Sequence, residues 1–288
     1  MAAPFWPRNA TYMDDFTTQR RRLRNLFELF LAPAMLDAVL PLARPALRLA
    51  AGKGTPSVDF GGTPHLPPGE PWPEWGGRPL DFLGVIDFAD LPAPGEIHGV
   101  PATGSAAFYY ASEVPRPWGD EAAQRDGWRV FTGALERAAP PPGAVAFPRT
   151  RLHAAPFLSL PSPQEPTLRR LEMRYPGLLA VYAELHTVWS RHLNPGGLPV
   201  HQLGGWPALV QRPIEPDCLF ASTGRALDSL GSPTLSPQEA RAADDWRLLL
   251  QLDSDQRLGW YWGDPGRVYF CGRRDDPLED AWLTVQAA

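Results

Sequence analysis

Six side chains in the C-terminal part of this 288-residue chain carry groups that could act together if the fold gathers them: His201, Gln202, Gln251, Asp253, Trp262 and Asp264. A histidine within hydrogen-bond reach of a carboxylate is a general-base pair, so His201 oriented by Asp253 or Asp264 would make a hydrolase-type site. Without a nucleophile the same residues form a binding site, in which Trp262, with its neighbours Trp260 and Tyr261, stacks on a ligand beside the Asp264 carboxylate. Each feature also has a plain structural use. Trp260 and Trp262 alternate along the chain as core residues do, and Gln202, Gln211 and Gln251 suit either a groove between two halves or buried amides that tie backbone together.

Other chemistries lack their residues. There is no GxSxG elbow and no reactive-cysteine signature, and Cys218 and Cys271 read as packed apolar side chains. The histidines, at 65, 98, 153, 186, 192 and 201, are scattered. His186 and His192 lie six apart on one helix and face different sides, so no metal site is expected. Asp253-Ser254-Asp255 starts like a calcium loop, but Arg257 stands at the fifth position and the closing pattern is missing. No cofactor motif is present, and none is expected to bind.

The elements that must position the six residues are mostly strands. Glycine (26) and proline (35) are dense enough to demand many turns, while 44% apolar and 20% charged residues fit a folded globular chain. Short apolar runs at 80–86, 106–111, 128–132, 152–160 and 247–253 read as strands. Leu23, Leu26, Phe27, Phe30 and Leu31 fall on one face of a helix that starts after Asp14 and Asp15. Pro33, Pro41 and Pro45 break the next stretch into short helical turns ending near Gly52 and Gly54. Ser162-Pro163-Gln164-Glu165 and Ser236-Pro237-Gln238-Glu239 both spell a capping box. The helix after the first carries Leu178, Val181, Tyr182, Leu185, Val188 and Trp189 on its buried face and closes at Asn194-Pro195-Gly196-Gly197. The chain thus reads as one compact unit: a helical region at 1–54, a first β-rich half at 55–160, a helical connection at 161–200 and a second β-rich half at 201–288.

The two halves repeat. Gly61-Gly62-Thr63-Pro64-His65-Leu66 and Gly204-Gly205-Trp206-Pro207-Ala208-Leu209 share the pattern GGxPxL. Each is followed by an apolar strand ending in aspartate, at Asp87 and Asp253, and then by a glycine-led aromatic strand from Gly104 and from Gly266. Three elements recurring in one order imply an internal duplication around a pseudo-twofold axis. The paired glycines supply positive φ and close backbone approach; a phosphate cradle would need a helix directly after them.

Phe60-Gly61-Gly62-Thr63-Pro64, Trp72-Pro73, Pro79-Leu80-Asp81-Phe82-Leu83, His201-Gln202-Leu203-Gly204-Gly205 and Trp262-Gly263-Asp264-Pro265-Gly266 together resemble the signature of the YwqG-like bacterial proteins. That resemblance implies a mainly β protein built of roll-like antiparallel sheets, internally duplicated, with several flanking α-helices. It implies no established activity, and a toxin-neutralising role is the one biological setting it suggests. A net charge of −5 with no clustered cationic face argues against nucleic acid as partner. The most apolar stretch, residues 26–51, is broken by charges and prolines and does not span a membrane. A cytoplasmic protein that holds a protein or small-molecule partner without catalysis is the leading expectation.

Overall fold

The computed structural model describes residues 15–52, 57–194, 196–197, 199–225 and 235–288. Asp14, Gly54 and Pro195, which bound predicted elements, lie outside the described residues. Ten strands form one antiparallel sheet: β1 (Arg44–Ala50), β2 (Val58–Phe60), β3 (Asp81–Asp87), β4 (Ser105–Tyr110), β5 (Trp128–Thr132), β6 (Thr150–Ser159), β7 (His201–Leu203), β8 (Trp246–Asp253), β9 (Gly266–Arg273) and β10 (Trp282–Ala287). The protein is therefore mainly β, as the strand pattern and the turn density require. Helices α1 (Phe16–Phe27), α2 (Pro33–Val39), α3 (Pro166–Arg174), α4 (Leu178–Leu193), α5 (Ile214–Ser222) and α6 (Pro237–Ala243) flank it.

Across the sheet the strands run β10-β9-β8-β7-β1-β6-β2-β3-β4-β5. Exchanging each strand with the one five places away in sequence returns this order reversed. Local details follow the same exchange. A bulge interrupts β3 between Phe82 and Gly84 and β8 between Leu248 and Leu250, each shortly before the aspartate that closes the strand. Gly61 N–H donates to Leu83 O, and Gly204 N–H donates to Leu249 O, both at 2.8 Å.

The sheet nearly closes into a barrel, because its two edges are pulled together. Trp128 on β5 packs edge-on against Trp282 on β10 with ring centroids 5.0 Å apart, and its indole N–H donates to Ala281 O. The Trp118–Gly119 backbone covers the β10 edge, accepting from Val285 N–H and from the Trp282 indole at 2.9 Å each. Covering an edge in this way removes the unpaired backbone groups that would otherwise recruit another chain. Aromatic rings fill the interior: Phe108 meets Phe270 at 5.1 Å, and Phe60, Trp260, Trp262 and Tyr110 form a continuous chain of ring contacts.

Two local expectations are corrected. Residues 44–50 are not helical turns but β1, a central strand paired with both β6 and β7. Pro45 is tolerated there because the β7 ladder reaches only Leu47 to Leu49, so the proline lies beyond it. The first capping box does not form. α3 begins at Pro166 with Glu165 as its N-cap, and the Ser162 hydroxyl accepts from Gln164 N–H instead. Glu165 is thereby freed to turn inward. The second box, Ser236 with Glu239, is formed in full.

Candidate functional site

The six residues singled out from sequence do not form an open cleft. His201, on β7, is 0% exposed and sits against the Phe60 and Trp260 rings inside the barrel. Its Nδ1 accepts from the backbone N–H of Asp253 at 3.1 Å, so the ring proton is on Nε2, which donates to Asp255 Oδ2 at 3.2 Å. The carboxylate that holds it is thus Asp255, not Asp253 or Asp264, and both ring nitrogens are occupied. Burial alone would raise the Asp255 pKa, but hydrogen bonds from His201, the Arg257 guanidinium and Arg257 N–H outweigh it and hold the carboxylate well below its usual range. His201 is thus buried with both ring nitrogens engaged, and it does not stand in an open cleft as the exposed base that a His201 site calls for.

Gln202, Gln251 and Asp253 belong to a second arrangement on the sheet face behind. Gln251 donates to Val200 O and accepts from Ala208 N–H, at 2.7 and 2.8 Å. Gln202 donates to Gly204 O and Trp206 O, at 3.0 and 2.7 Å. Asp253 accepts from Val200 N–H and Ser254 N–H, and Arg267 reaches both Asp253 and Ala208 O. Gln286, which sequence reasoning missed, accepts from Val210 and Gln211 N–H and donates to Arg212 O. Most of these bonds pin residues 200–212, the loop that carries the second GGxPxL motif. Trp262 is buried against Trp260 and Tyr110, while Asp264 is exposed and Tyr261 stands 68% exposed between the two tryptophans, so no aromatic platform forms there.

What the pinned loop does position is Trp206. Its N–H donates to Ser159 Oγ and its indole to Leu42 O, which fixes the ring beneath Arg44 at the start of β1. The Arg44 guanidinium lies 3.3 Å from the ring centroid, a close cation–π stack. This pair forms one wall of a small cavity, about 30 Å³ in volume and open to solvent, where α3, α5 and α6 meet the sheet face. Glu165 from the start of α3 and Glu215 from the first turn of α5 form the opposite wall, with Arg170, Asp244 and Arg247 at the rim.

Electrostatically this is the least settled place among the described residues. Glu165 is 2% exposed and Glu215 7% exposed, yet Glu165 Oε1, both Glu215 carboxylate oxygens and one terminal nitrogen of Arg44 have no hydrogen-bond partner. Buried polar atoms in native proteins are paired almost without exception, and each orphan costs about 1–3 kcal/mol. Burial pushes the Glu165 carboxyl well above its usual value, the nearby Glu215 adds to the effect, and Arg44 opposes it. Burial likewise raises Glu215 against the pull of Arg44 and Arg247, and lowers Arg44 to about 10. Two carboxyls, one of them disposed to keep its proton, face an unsatisfied guanidinium across a small space.

Over residues 59–282 the sequence matches the family model described as domain of unknown function DUF1963. The chain belongs to that family. Among curated proteins none matches it. The matched span holds Glu165, Trp206 and Glu215, while Arg44 lies before it. Among the described residues no group of three or more His, Cys, Asp or Glu side chains is placed to hold a metal ion, and no helix is long and apolar enough to cross a membrane.

The sequence carried a signal for the cavity that motif spacing does not reveal. The segment Ile214-Glu215-Pro216-Asp217-Cys218-Leu219-Phe220 places two acids in a helix that is apolar on the remaining sides, and α5 is buried almost all round. Acids in such a helix must be paired or waiting for a partner. Asp217 has its partner, Arg212 at 2.9 Å. Glu215 has none.

Proposed function

We propose that this DUF1963 protein is a non-catalytic binding protein and that its ligand occupies the cavity between Arg44, Glu165, Trp206 and Glu215. The observation that carries this reading is the set of buried carboxylate oxygens beside it that have no hydrogen-bond partner. A purely structural charge cluster is selected to pair its members, whereas a binding site keeps groups unpaired until the ligand arrives. A toxin-neutralising role would require that same site to act on a protein partner. We also take the chain to be of the YwqG-like kind within its family, on the motifs Phe60-Gly61-Gly62 and Gly204-Gly205, and the mirrored strand order to descend from duplication of one five-stranded unit.

The test is to purify the protein and a Glu165→Gln, Glu215→Gln variant from native lysate, denature both, and identify the small molecules released. A compound released in stoichiometric amount by the wild type and lost from the variant is the expected result. Equal release from both, or none from the wild type, overturns the reading.

A further inference from the structure

We infer that the cavity is gated by a proton: Glu165 and Glu215 hold one proton between them in the closed state described above, and its loss moves α3 away from α5 and widens the space to admit a ligand. The inference rests on the cavity being the binding site, and deepens that reading by naming its regulation. Its first support is enclosure. The space is about 30 Å³, room for a water molecule or two. Glu165 Oε1 and both Glu215 oxygens are sealed from solvent and accept no hydrogen bond. No larger ligand reaches those atoms until the walls part. The second support is the seam along which they can part. α3 is tied to α4, because the Glu172 carboxylate accepts from Gly177 and Leu179 N–H at 2.8 and 2.6 Å. α5 is tied to the rest of the fold, with seven of its nine residues buried and Asp217 paired with Arg212. α3 buries Leu168 alone. Across the seam, Arg170 of α3 meets Asp244 at the end of α6 at 3.7 Å, a pair of half-exposed side chains that contributes little. An element held by so few buried contacts is the one that opens locally.

Charge supplies the trigger. The groups that act on the two carboxyls are Arg44 from β1, Tyr182 from α4, Cys218 from α5, Asp244 from α6 and Arg247 from β8. Arg247 donates to the carbonyls of Asp244 and Trp246, Tyr182 donates to Pro161 O, and Arg44 is held on the Trp206 ring. None of them donates to the three sealed oxygens, and Asp244 adds negative charge. With both carboxyls ionised, two charges would be buried near each other without a donor, whereas one retained proton removes one of the charges. Burial pushes both carboxyls upward, in the same direction. Ionisation and opening are therefore one event: the proton passes to water as the seam parts, and the exposed carboxylates are hydrated. The sign follows from linkage. An acid that binds its proton more tightly in the closed state favours closure at low pH, and the gate opens as the pH rises.

The experiment is hydrogen–deuterium exchange of the full chain, read by mass spectrometry at about pH 5.5, 6.5 and 7.5, with exchange times scaled to the intrinsic amide rate. Opening that releases one proton has an equilibrium constant that grows about tenfold per pH unit between the ordinary carboxyl pKa and that of the closed pair. Peptides covering α3 should lose protection with that slope, while peptides covering β3 and β4 keep theirs. Glu165→Gln and Glu215→Gln, made separately and checked for native near-UV circular dichroism, each imitate the protonated acid and should reduce the slope to less than about twofold per pH unit. A wild-type slope that small overturns the inference, and so does a steep slope that survives both substitutions. Equal loss of protection in β3 and β4 overturns it in favour of global destabilisation. The ligand-release test fails separately. A released compound without a pH slope leaves the binding reading standing and removes the gate; a pH slope without a released compound removes the binding reading and leaves the proton-linked opening as a property of the fold.

Discussion

Two cross-strand rows of the sheet occupy matching positions in the two halves. Asp59, Val85, Ala107 and Phe131 lie side by side across β2 to β5; Gln202, Gln251, Tyr269 and Thr284 lie side by side across β7 to β10. In the first half this face is closed by an apolar cluster of Leu66, Leu80, Phe82 and Tyr109, with Trp72 and Trp75 packed over it. In the second half the face is polar, and its amides hold a loop whose tryptophan shapes the cavity. Equivalent backbone thus carries a packed lid on one side and a hydrogen-bonded bracket on the other. A polar row in a buried sheet needs a loop to satisfy it, and the loop so fixed becomes a precise support for a site.

The heaviest loss should come at the equivalent glycines, where the halves can be set directly against each other. Both have positive φ, +63° at Gly61 and +67° at Gly204, but a Cβ at Gly61 would stand 2.4 Å from the backbone oxygen of Pro148, and one at Gly204 would stand 2.3 Å from a methyl of Ile97. A side-chain methyl yields more easily than a backbone carbonyl. Gly61→Ala should cost about 3–5 kcal/mol and Gly204→Ala about 2–3 kcal/mol by urea denaturation. Equal costs would mean that the two loops do not differ in the way described.

Next in size is giving the second half the residue of the first. Gln251→Val removes the partners of Val200 O and Ala208 N–H, and should cost about 1–2 kcal/mol. It should also weaken ligand binding, by loosening the loop beneath Trp206. A loss below about 0.5 kcal/mol would show that the bracket contributes nothing.

Acid–base titration probes the buried carboxyls directly. Burial raises Asp217 from 3.8 to about 6 despite Arg212. An acid whose pKa is higher folded than unfolded binds its proton more tightly in the native state. The stability it contributes is therefore greatest below 3.8 and falls as pH rises through about 6, by about 2–3 kcal/mol for this shift. Glu165 and Glu215 act with the same sign. Asp255, held low, acts with the opposite one, supplying stability above the usual aspartate range that is lost as the pH falls below it. Denaturation midpoints measured from about pH 3 to about pH 9 should fall on the alkaline side of about 4, and Glu215→Gln should flatten part of that fall. An unchanged slope would show that Glu215 does not titrate as its burial demands.

The mildest loss should come from Trp206→Phe, which removes the indole bond to Leu42 O and part of the cation–π stack but keeps an aromatic face. About 1 kcal/mol of stability should go. Ligand binding should weaken only a few-fold, because Arg44 is retained.

Much of the fold is legible locally. The strands at 128–132 and 246–253, the Ser236 capping box and the paired glycines rest on period-two patterning and turn chemistry, which neighbouring residues decide. Residues 44–50 read as interrupted helix because three nearby prolines speak for interruption, and only the partner strands β6 and β7 show that the interrupted chain is extended. The six candidate residues are legible as polar exceptions among apolar ones. Their use is not, since the reach from Gln251 to Val200 and Ala208 spans loops whose course no local pattern sets.

Residue type and short-range period are enough for the β class, most of the strands, the two GGxPxL loops and the order in which their motifs recur. Long-range folding was needed to seal His201 inside the barrel, and to bring Arg44, Glu165, Trp206 and Glu215, drawn from four separate segments, to one cavity. The cause lies in the central pairing of β1 with β6 and β7, in which residue 44 lies beside residue 159 and residue 47 beside residue 203. Such contacts are chosen by burial of the whole sheet face, and no stretch of chain a few residues long contains the information.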